Sequence, residues 1–521
     1  MGIIQLQRRL KVIGVTSSLL VLLLVIAKPA RSQTTSIPSH ASWEQDMSAA
    51  QWDVQAGRLP EAEENLTEAL RIAKTFPPDD RRWITTLHQL AETNHSEGKD
   101  ALAEGLLKEE LTANQKTFGP NDLHVAASLD ALAGVLSSQG QYTQAEFLYR
   151  QALGIKKQVL GPNHPSTVRT VESLAAAEAE AGNYSEAEQL YQQAIQSETQ
   201  LFGTSHPGVA VPLDDLAALE MEEGKYASAE TLYEKALKIR EQIHGPDHPR
   251  VASSLENLAG VYVAEGRYGQ AEPLLRRAQA IRESVLGVNQ PEVAETLSSL
   301  ALVYAYESNY SKAEDAARQA LAIRQRLLPS EDPAIAESLN NLAFIYSKMG
   351  RDSLAESLYK QSLDITQEKE GKDNPFYAAT LNNLGMVYEK QERYDQARPL
   401  FEQALKTLRA TVGADQPEVA TTLTNIAEID AREHQNAQAE QLLQRALKID
   451  IAALGNQHPA VATDFHNLAK LYAQEGKDAQ AKTLYQQALA IQEKILGPEH
   501  EDMAATLKDY ATLQHKEAPH H

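Results

Sequence analysis

The chain has 521 residues, 42% of them hydrophobic but only 6% aromatic, no cysteine, and a formal net charge of −22. Without cysteine there can be no disulfide framework, zinc finger or thiol nucleophile. The acidic balance argues against nucleic acid or an anionic membrane surface as a partner.

Taken in chain order, the first segment reads as an address. Arg8, Arg9 and Lys11 precede an apolar run from Val12 to Ala27, and Ala30-Arg31-Ser32 leads into polar residues. A basic start, a short apolar run and small residues at the cleavage positions describe a secretory signal peptide over 1–32. The expected location is across the cytoplasmic membrane, periplasmic or secreted. The alternative is an inner-membrane anchor through residues 12–27, and a membrane is a partner only if that segment stays uncleaved. Residues 33–40 are expected to be a disordered linker.

Two divergent helix pairs are expected over 41–118. The first carries Gly57, Ala62, Leu66 and Ala69, the second Leu87, Leu90 and Ala91. A strict register then sets in. Proline recurs at 165, 207, 249, 291, 333, 375, 417 and 459, always 42 residues apart. After the proline, Leu255, Leu258, Ala259 and Tyr262 mark one face of a helix by their spacing. A break such as Gly266-Arg267-Tyr268 follows. Ala229, Glu230, Tyr233, Ala236 and Leu237 show the pattern of the second helix, which ends at glycines such as Gly161, Gly245, Gly413 and Gly497. These glycines are expected to close the helix in the left-handed conformation, and the proline to open the next. Nine such pairs are expected over 119–498, then a capping helix over 499–515 and a disordered tail over 516–521. A helix pair cannot bury both apolar faces alone, and stacking the next pair covers the remainder. The fold class expected is all-α: a solenoid of about eleven helix pairs plus a C-terminal capping helix.

Leu-Asn-Asn-Leu-Ala-Phe-Ile-Tyr at 339–346, Leu-Asn-Asn-Leu-Gly-Met-Val-Tyr at 381–388 and Ala-Glu-Ser-Leu-Tyr-Lys-Gln-Ser-Leu at 355–363 resemble the two helices of a tetratricopeptide repeat (TPR). The 42-residue period and the Leu-Gly-Pro-Asn-His-Pro connector at 160–165 resemble the kinesin-light-chain subtype, here of a bacterial exported type, although similar repeats occur in many exported and cytoplasmic bacterial proteins. The resemblance implies a right-handed superhelix whose first helices line a concave groove. It implies a scaffold that binds an extended peptide or a partner protein there. A structural or self-assembling spacer is the alternative.

On that implied groove the position just before the second leucine of the first helix reads Ala131, Ser173, Asp215, Asn257, Ser299, Asn341, Asn383, Asn425, Asn467 and Asp509. Asparagine both donates and accepts, so a ladder of it suits clamping a peptide backbone. One residue earlier stand Asp130, Glu172, Asp214 and Glu256, then Ser298, Asn340, Asn382, Thr424 and His466. Together with Asp215 the first four predict an acidic groove for a basic partner segment. Phe344 and Met386 are expected to add apolar contact, and Lys348, Lys390 and Arg432 to draw a neutral or acidic segment. The clamp of chaperone-binding relatives needs lysine near the start of the first helix. Glu337, Ala379 and Thr421 stand there, so that activity does not carry over.

His164, His206, His248 and His458 precede prolines. Equivalent points on stacked pairs lie about 10 Å apart, too far to share one ion, so they read as connector turns and no metal is expected. No phosphate loop, nucleophile elbow or His-Glu-x-x-His motif is present. The chain is therefore expected to be a non-enzyme without cofactor.

Overall fold

A computed structural model describes residues 40–77, 80–495 and 501–517. The expected export segment, most of the linker, Gly497 and residues 518–521 lie outside the described residues. The described residues fall into two compact units, one ending at Leu219 and one beginning at Glu220.

The first unit contains α1 (His40–Gln55), α2 (Leu59–Ala73), α3 (Arg82–Ser96), α4 (Asp100–Phe118), α5 (Leu123–Ser138), α6 (Tyr142–Val159), α7 (Pro165–Glu180) and α8 (Tyr184–Phe202). The division falls inside α9 (Pro207–Glu222), which carries Pro212 in its interior. The second unit continues with α10 (Tyr226–His244), α11 (Pro249–Ala264), α12 (Tyr268–Leu286), α13 (Pro291–Tyr306), α14 (Tyr310–Leu327), α15 (Pro333–Lys348) and α16 (Asp352–Lys369). It ends with α17 (Pro375–Lys390), α18 (Tyr394–Thr411), α19 (Pro417–Arg432), α20 (Asn436–Leu454), α21 (Pro459–Gln474), α22 (Asp478–Ile495) and α23 (Glu501–Glu517). These 23 helices make eleven consecutive pairs and a final single helix, an all-α repeat array.

Packing follows the register. In the second unit, α12 lies against α11 of its own pair and α13 of the next, and the same relation repeats through α22 and α23. Ala271 and Ala278, two turns apart on α12, are fully buried, as are Val251, Ala252 and Leu255 on α11. Small alanines let the helices approach closely. Each fully buried leucine contributes about 1.5–3 kcal/mol.

A second set of contacts ties each pair to the next through polar groups. Glu272, Glu314, Glu356 and Glu440 accept hydrogen bonds from Tyr304, Tyr346, Tyr388 and Tyr472 at 3.2, 3.0, 2.8 and 2.7 Å. Arg351, Arg393 and Lys477 close on Glu314, Glu356 and Glu440 at 2.9, 3.0 and 3.3 Å. Burial raises the Glu356 pKa, but Lys360, Tyr388 and Arg393 outweigh it and hold the carboxyl at about 2. In the α18 pair both ends are exchanged: Arg398 stands where the others have glutamate and meets Asp430 at 2.7 Å. The charge is reversed and the link is kept.

The turns correct one expectation. The connector glycines have φ +82 to +94° with ψ 156 to 165°, as at Gly203, Gly245, Gly287 and Gly455. This is not the left-handed helical cap but a region open essentially to glycine alone, so the requirement is stricter than expected. The turn inside each pair is left-handed. Most pairs supply glycine there, such as Gly266 at φ +72°, but Ser308, Glu392 and His434 occupy it at +59, +59 and +62°. A side chain in that conformation costs about 1–2 kcal/mol. Glycine substituted at all three is expected to raise the urea midpoint, each contributing roughly 0.5–1 kcal/mol net of the extra chain entropy. An unchanged or lowered midpoint would count against this reading of the turns.

Candidate partner-binding face

The first helices of the second unit carry the predicted groove residues, and the structure divides them into two rows. Asn383, Asn425 and Asn467 are half-buried on α17, α19 and α21. Asn257 and Asn341 are buried at 8% exposure. Asn383 donates to Asn340 at 3.1 Å, so one rung of the expected ladder is already bonded to its neighbour. Met386 is 49% exposed. Lys348, Lys390 and Arg432 lie at the helix ends and are partly open to solvent. Lys390 donates to the Ser347 carbonyl at 2.9 Å, and Lys348 lies over the Phe344 ring at 5.5 Å.

Sequence reading missed two features of this face. Tyr268, Tyr306 and Phe344 form an aromatic row, with ring centroids 5.2 and 5.9 Å apart. Tyr268 belongs to a second helix and Tyr306 ends a first helix, so neither falls on the leucine-based register. Further along, a cleft opens between α19 and α21. Its floor is Ala427, Ala431, Leu443 and Leu471; its rim is Glu428, Arg432, Asn467, Lys470 and Gln474. Lys470 reaches Glu428 at 3.3 Å. The cleft brings together two predicted residues, Arg432 and Asn467, with a cation and an acid that the sequence did not single out.

The row one residue earlier belongs elsewhere. An α-helix turns by about 100° per residue, so this row swings from the open face toward the next pair. Asp130 forms an ion pair with Lys156 of α6 and accepts from Thr170 of α7 at 2.9 Å. Glu256 repeats the arrangement: its carboxylate meets Arg282 of α12 at 2.7 Å and Thr296 of α13 at 2.7 Å. Arg282 donates to Thr296 at 2.8 Å and to the Glu292 carbonyl at 2.6 Å. Asn340 and Asn382 donate to Thr380 and Thr422 at 2.8 and 2.9 Å. Asp130, Glu256, Asn340 and Asn382 are therefore joint residues between successive pairs, and not an open acidic or amide surface. Glu172 is half-buried, and burial, with Glu198 nearby, pushes its pKa up to about 7. Asp214 and Asp215 are half-buried on α9. Of the five acids expected to line an acidic groove, Asp130 and Glu256 are thus paired within joints, and Glu172, Asp214 and Asp215 stay partly open.

The histidines before the prolines have a defined role. The Nδ1 atoms of His164, His206, His248 and His458 accept the backbone N–H two residues on, at 3.2, 3.1, 3.1 and 3.1 Å. Asp122, Asp332 and Asn374 do the same elsewhere. A neutral imidazole thus takes the place of the usual Ser, Thr, Asp or Asn cap. His458 also packs on the second unit's Gly224, where an added Cβ would lie 2.7 Å from its Cδ2. Burial pushes its pKa down to about 4.

Nothing described on this face pairs a nucleophile with a base. What it offers is hydrogen bonding, an apolar floor and charge on the stacked first helices of a helical-repeat array. The tetratricopeptide-repeat model matches residues 83–158, 148–200, 167–242, 208–284, 251–326, 334–410, 418–494 and 465–518, and the chain belongs to the tetratricopeptide repeat family. Arrays of this family are generally protein–protein interaction modules.

Among solved structures, BtubC (BKLC) from P. vanneervenii is similar at 23% identity and TM-score 0.35, over 44% of this chain and 91% of that one. A Podosopora anserina kinesin light chain with nearly identical TPR-like repeats is similar at 25% identity and TM-score 0.33, over 39% and 97%. Yeast Tom70 is similar at 12% identity and TM-score 0.43, over 92% and 96%. No curated protein matches the chain. Among the described residues no helix is long and apolar enough to cross a membrane.

Proposed function

We propose that the second unit holds an extended, neutral-to-acidic segment of a partner protein along the first-helix face from α15 to α21. The observation that carries this is the α19–α21 cleft, where an apolar floor is rimmed by Arg432, Lys470, Glu428, Asn467 and Gln474. An apolar floor with a few placed polar groups is the usual composition of a binding site. Exposed Met386 and the aromatic row ending at Phe344 extend the same face. Arg432 and Lys470 outnumber Glu428, the acid on the rim, which both approach at 4.0 and 3.3 Å; the surplus cation sets the sign of the partner and the amides contact its backbone.

The test is affinity capture from a native extract with the full chain and with the Arg432→Glu, Lys470→Glu double variant. Reversing two rim charges is expected to lower recovery of the specific partner on the order of tenfold, with strong salt dependence in the wild type. An unchanged partner set at unchanged yield would defeat the reading.

A further inference from the structure

Several joints between helix pairs are built around a cation, and in one joint of the same register two carboxyl groups meet instead. Lys156, Arg282 and Arg324 each reach across a joint to a hydroxyl on the following first helix: Thr170, Thr296 and Ser338, at 2.9, 2.8 and 2.8 Å. In the same register the joint after α19 holds Asp450 on α20 and Asp464 on α21, each only 4% exposed. The register that brings Arg282 to Thr296 sets these two carboxyl groups against each other, and each acts on the other. Two carboxylates so placed and shut off from water cannot both keep their charge. One keeps a proton, and a protonated carboxyl can donate it to its neighbour.

The surroundings supply no substitute. From α19, Glu418 adds a further negative charge near Asp450, and Thr424 faces Asp464. From α22, Ala488 and Ile491 cover the adjoining turn of α21. Among the described residues no cationic side chain acts on the pair. Asp450 Oδ1 and Asp464 Oδ2 are buried and accept no hydrogen bond from the described residues. Burial and mutual repulsion both favour the protonated form.

We propose that this joint is locked by a proton: the hydrogen shared by Asp450 and Asp464 holds α21 to α20, and its loss in alkaline solution opens the array between the pairs α19–α20 and α21–α22. Thr424 also lines the cleft between α19 and α21, so opening would separate the cleft's walls. That consequence rests on the partner-binding reading; the lock itself does not.

Hydrogen exchange of the full chain without any partner tests the lock alone, after correction for the intrinsic pH dependence of exchange. Between about pH 6 and about pH 9 the protection of the stretch from Leu447 to Leu468 is expected to fall at least about tenfold, one such factor for each pKa unit of linkage. Segments of α15 to α17, joined by the neutral Asn340–Thr380 pair, serve as the control. Asp464→Asn, which keeps the hydrogen bond without a titrating proton, is expected to abolish the fall. Asp450→Arg, which restores the cation found at position 282, is expected to do the same. Wild-type protection that does not change with pH would overturn the proposal. So would the same fall in both variants, or recovery in alkali on adding calcium chloride, which would make the site one for a metal ion.

Discussion

Arg282→Leu is expected to destabilise the second unit by about 3–5 kcal/mol, because it leaves the Glu256 carboxylate buried without its counter-charge. Glu256 is 7% exposed and Arg282 4%. The guanidinium donates to Glu256, Thr296 and the Glu292 carbonyl together, so one truncation takes a donor from three acceptors and leaves Glu256 with Thr296 alone. The loss should depend on pH. Burial already pushes the Glu256 pKa up to about 7 despite Arg282, above the ordinary value of about 4.3. A raised carboxyl contributes stability that is fully present below the ordinary value and is lost as pH rises through the folded value. Removing the arginine raises the folded value further, so the variant's deficit should be larger near pH ~8 than near pH ~5. The array contains its own neutral version of this joint: Asn382 bonded to Thr422, with Leu408 where the arginine would be. Glu256→Asn with Arg282→Leu copies that joint and should recover most of the lost stability. Urea titration of the three proteins at both pH values is the measurement. A single variant as stable as the wild type would show that the pair does not lock the joint.

Gly385→Ala is expected to destabilise the α17–α18 pair by about 1–3 kcal/mol through overpacking, less up to about 1 kcal/mol returned by alanine's helix propensity. Most other pairs have alanine at this position, as at Ala259, Ala343 and Ala427. A Cβ at 385 would lie 2.5 to 2.9 Å from three ring atoms of Phe401. The reason is across the pair, in where the Phe401 ring lies: the same position holds Leu275 and Leu443, but also Tyr359 in register with Ala343, so the closeness of this ring and not its size alone excludes the methyl. Glycine is therefore fitted to phenylalanine, and the two residues should behave as one unit. Phe401→Leu in the Gly385→Ala background recreates the Ala427–Leu443 pair and should restore the thermal midpoint. A Gly385→Ala single variant that melts with the wild type would remove this account.

The pH response of the whole molecule has two opposed parts. Burial lowers the pKa of the His248 and His458 imidazoles. A lowered histidine contributes stability above its ordinary value of about 6.5 and loses it as pH falls toward the folded value, which for His458 is about 4. Protonation also removes the lone pair that caps the helix. The raised carboxyls Glu172, Glu256, Asp450 and Asp464 act in the other direction, losing stability as pH rises.

Residues that obey the period were legible before the structure was known. Pro165 to Pro459 placed the first helices, and Ala271 and Ala278 lie in the packed core as the pattern requires. What failed was azimuth. Asp130 and Glu256 sit one residue from the ladder position, and that single residue turns them from the open face to the joint. Their partners, Lys156 and Arg282, lie 26 residues later on another helix, with no local signal linking the two. Asp450 and Asp464 look like ordinary helix-face acids until the register aligns them with an arginine and a threonine. The histidine caps were visible as a pattern, but imidazole is not among the residues expected to cap a helix. Ser308, Glu392 and His434 carry no mark of a left-handed turn except their place in the period.

A photo-crosslinking amino acid placed separately at position 386 and at position 354 tests the binding face most directly. Met386 and Leu354 are equally exposed, at 49% each, one on the first helix α17 and the other on the second helix α16. Irradiation with native extract is expected to give a discrete adduct at 386 and none at 354. Adducts of the same protein at both positions, or at 354 alone, would contradict a working surface built from the first helices.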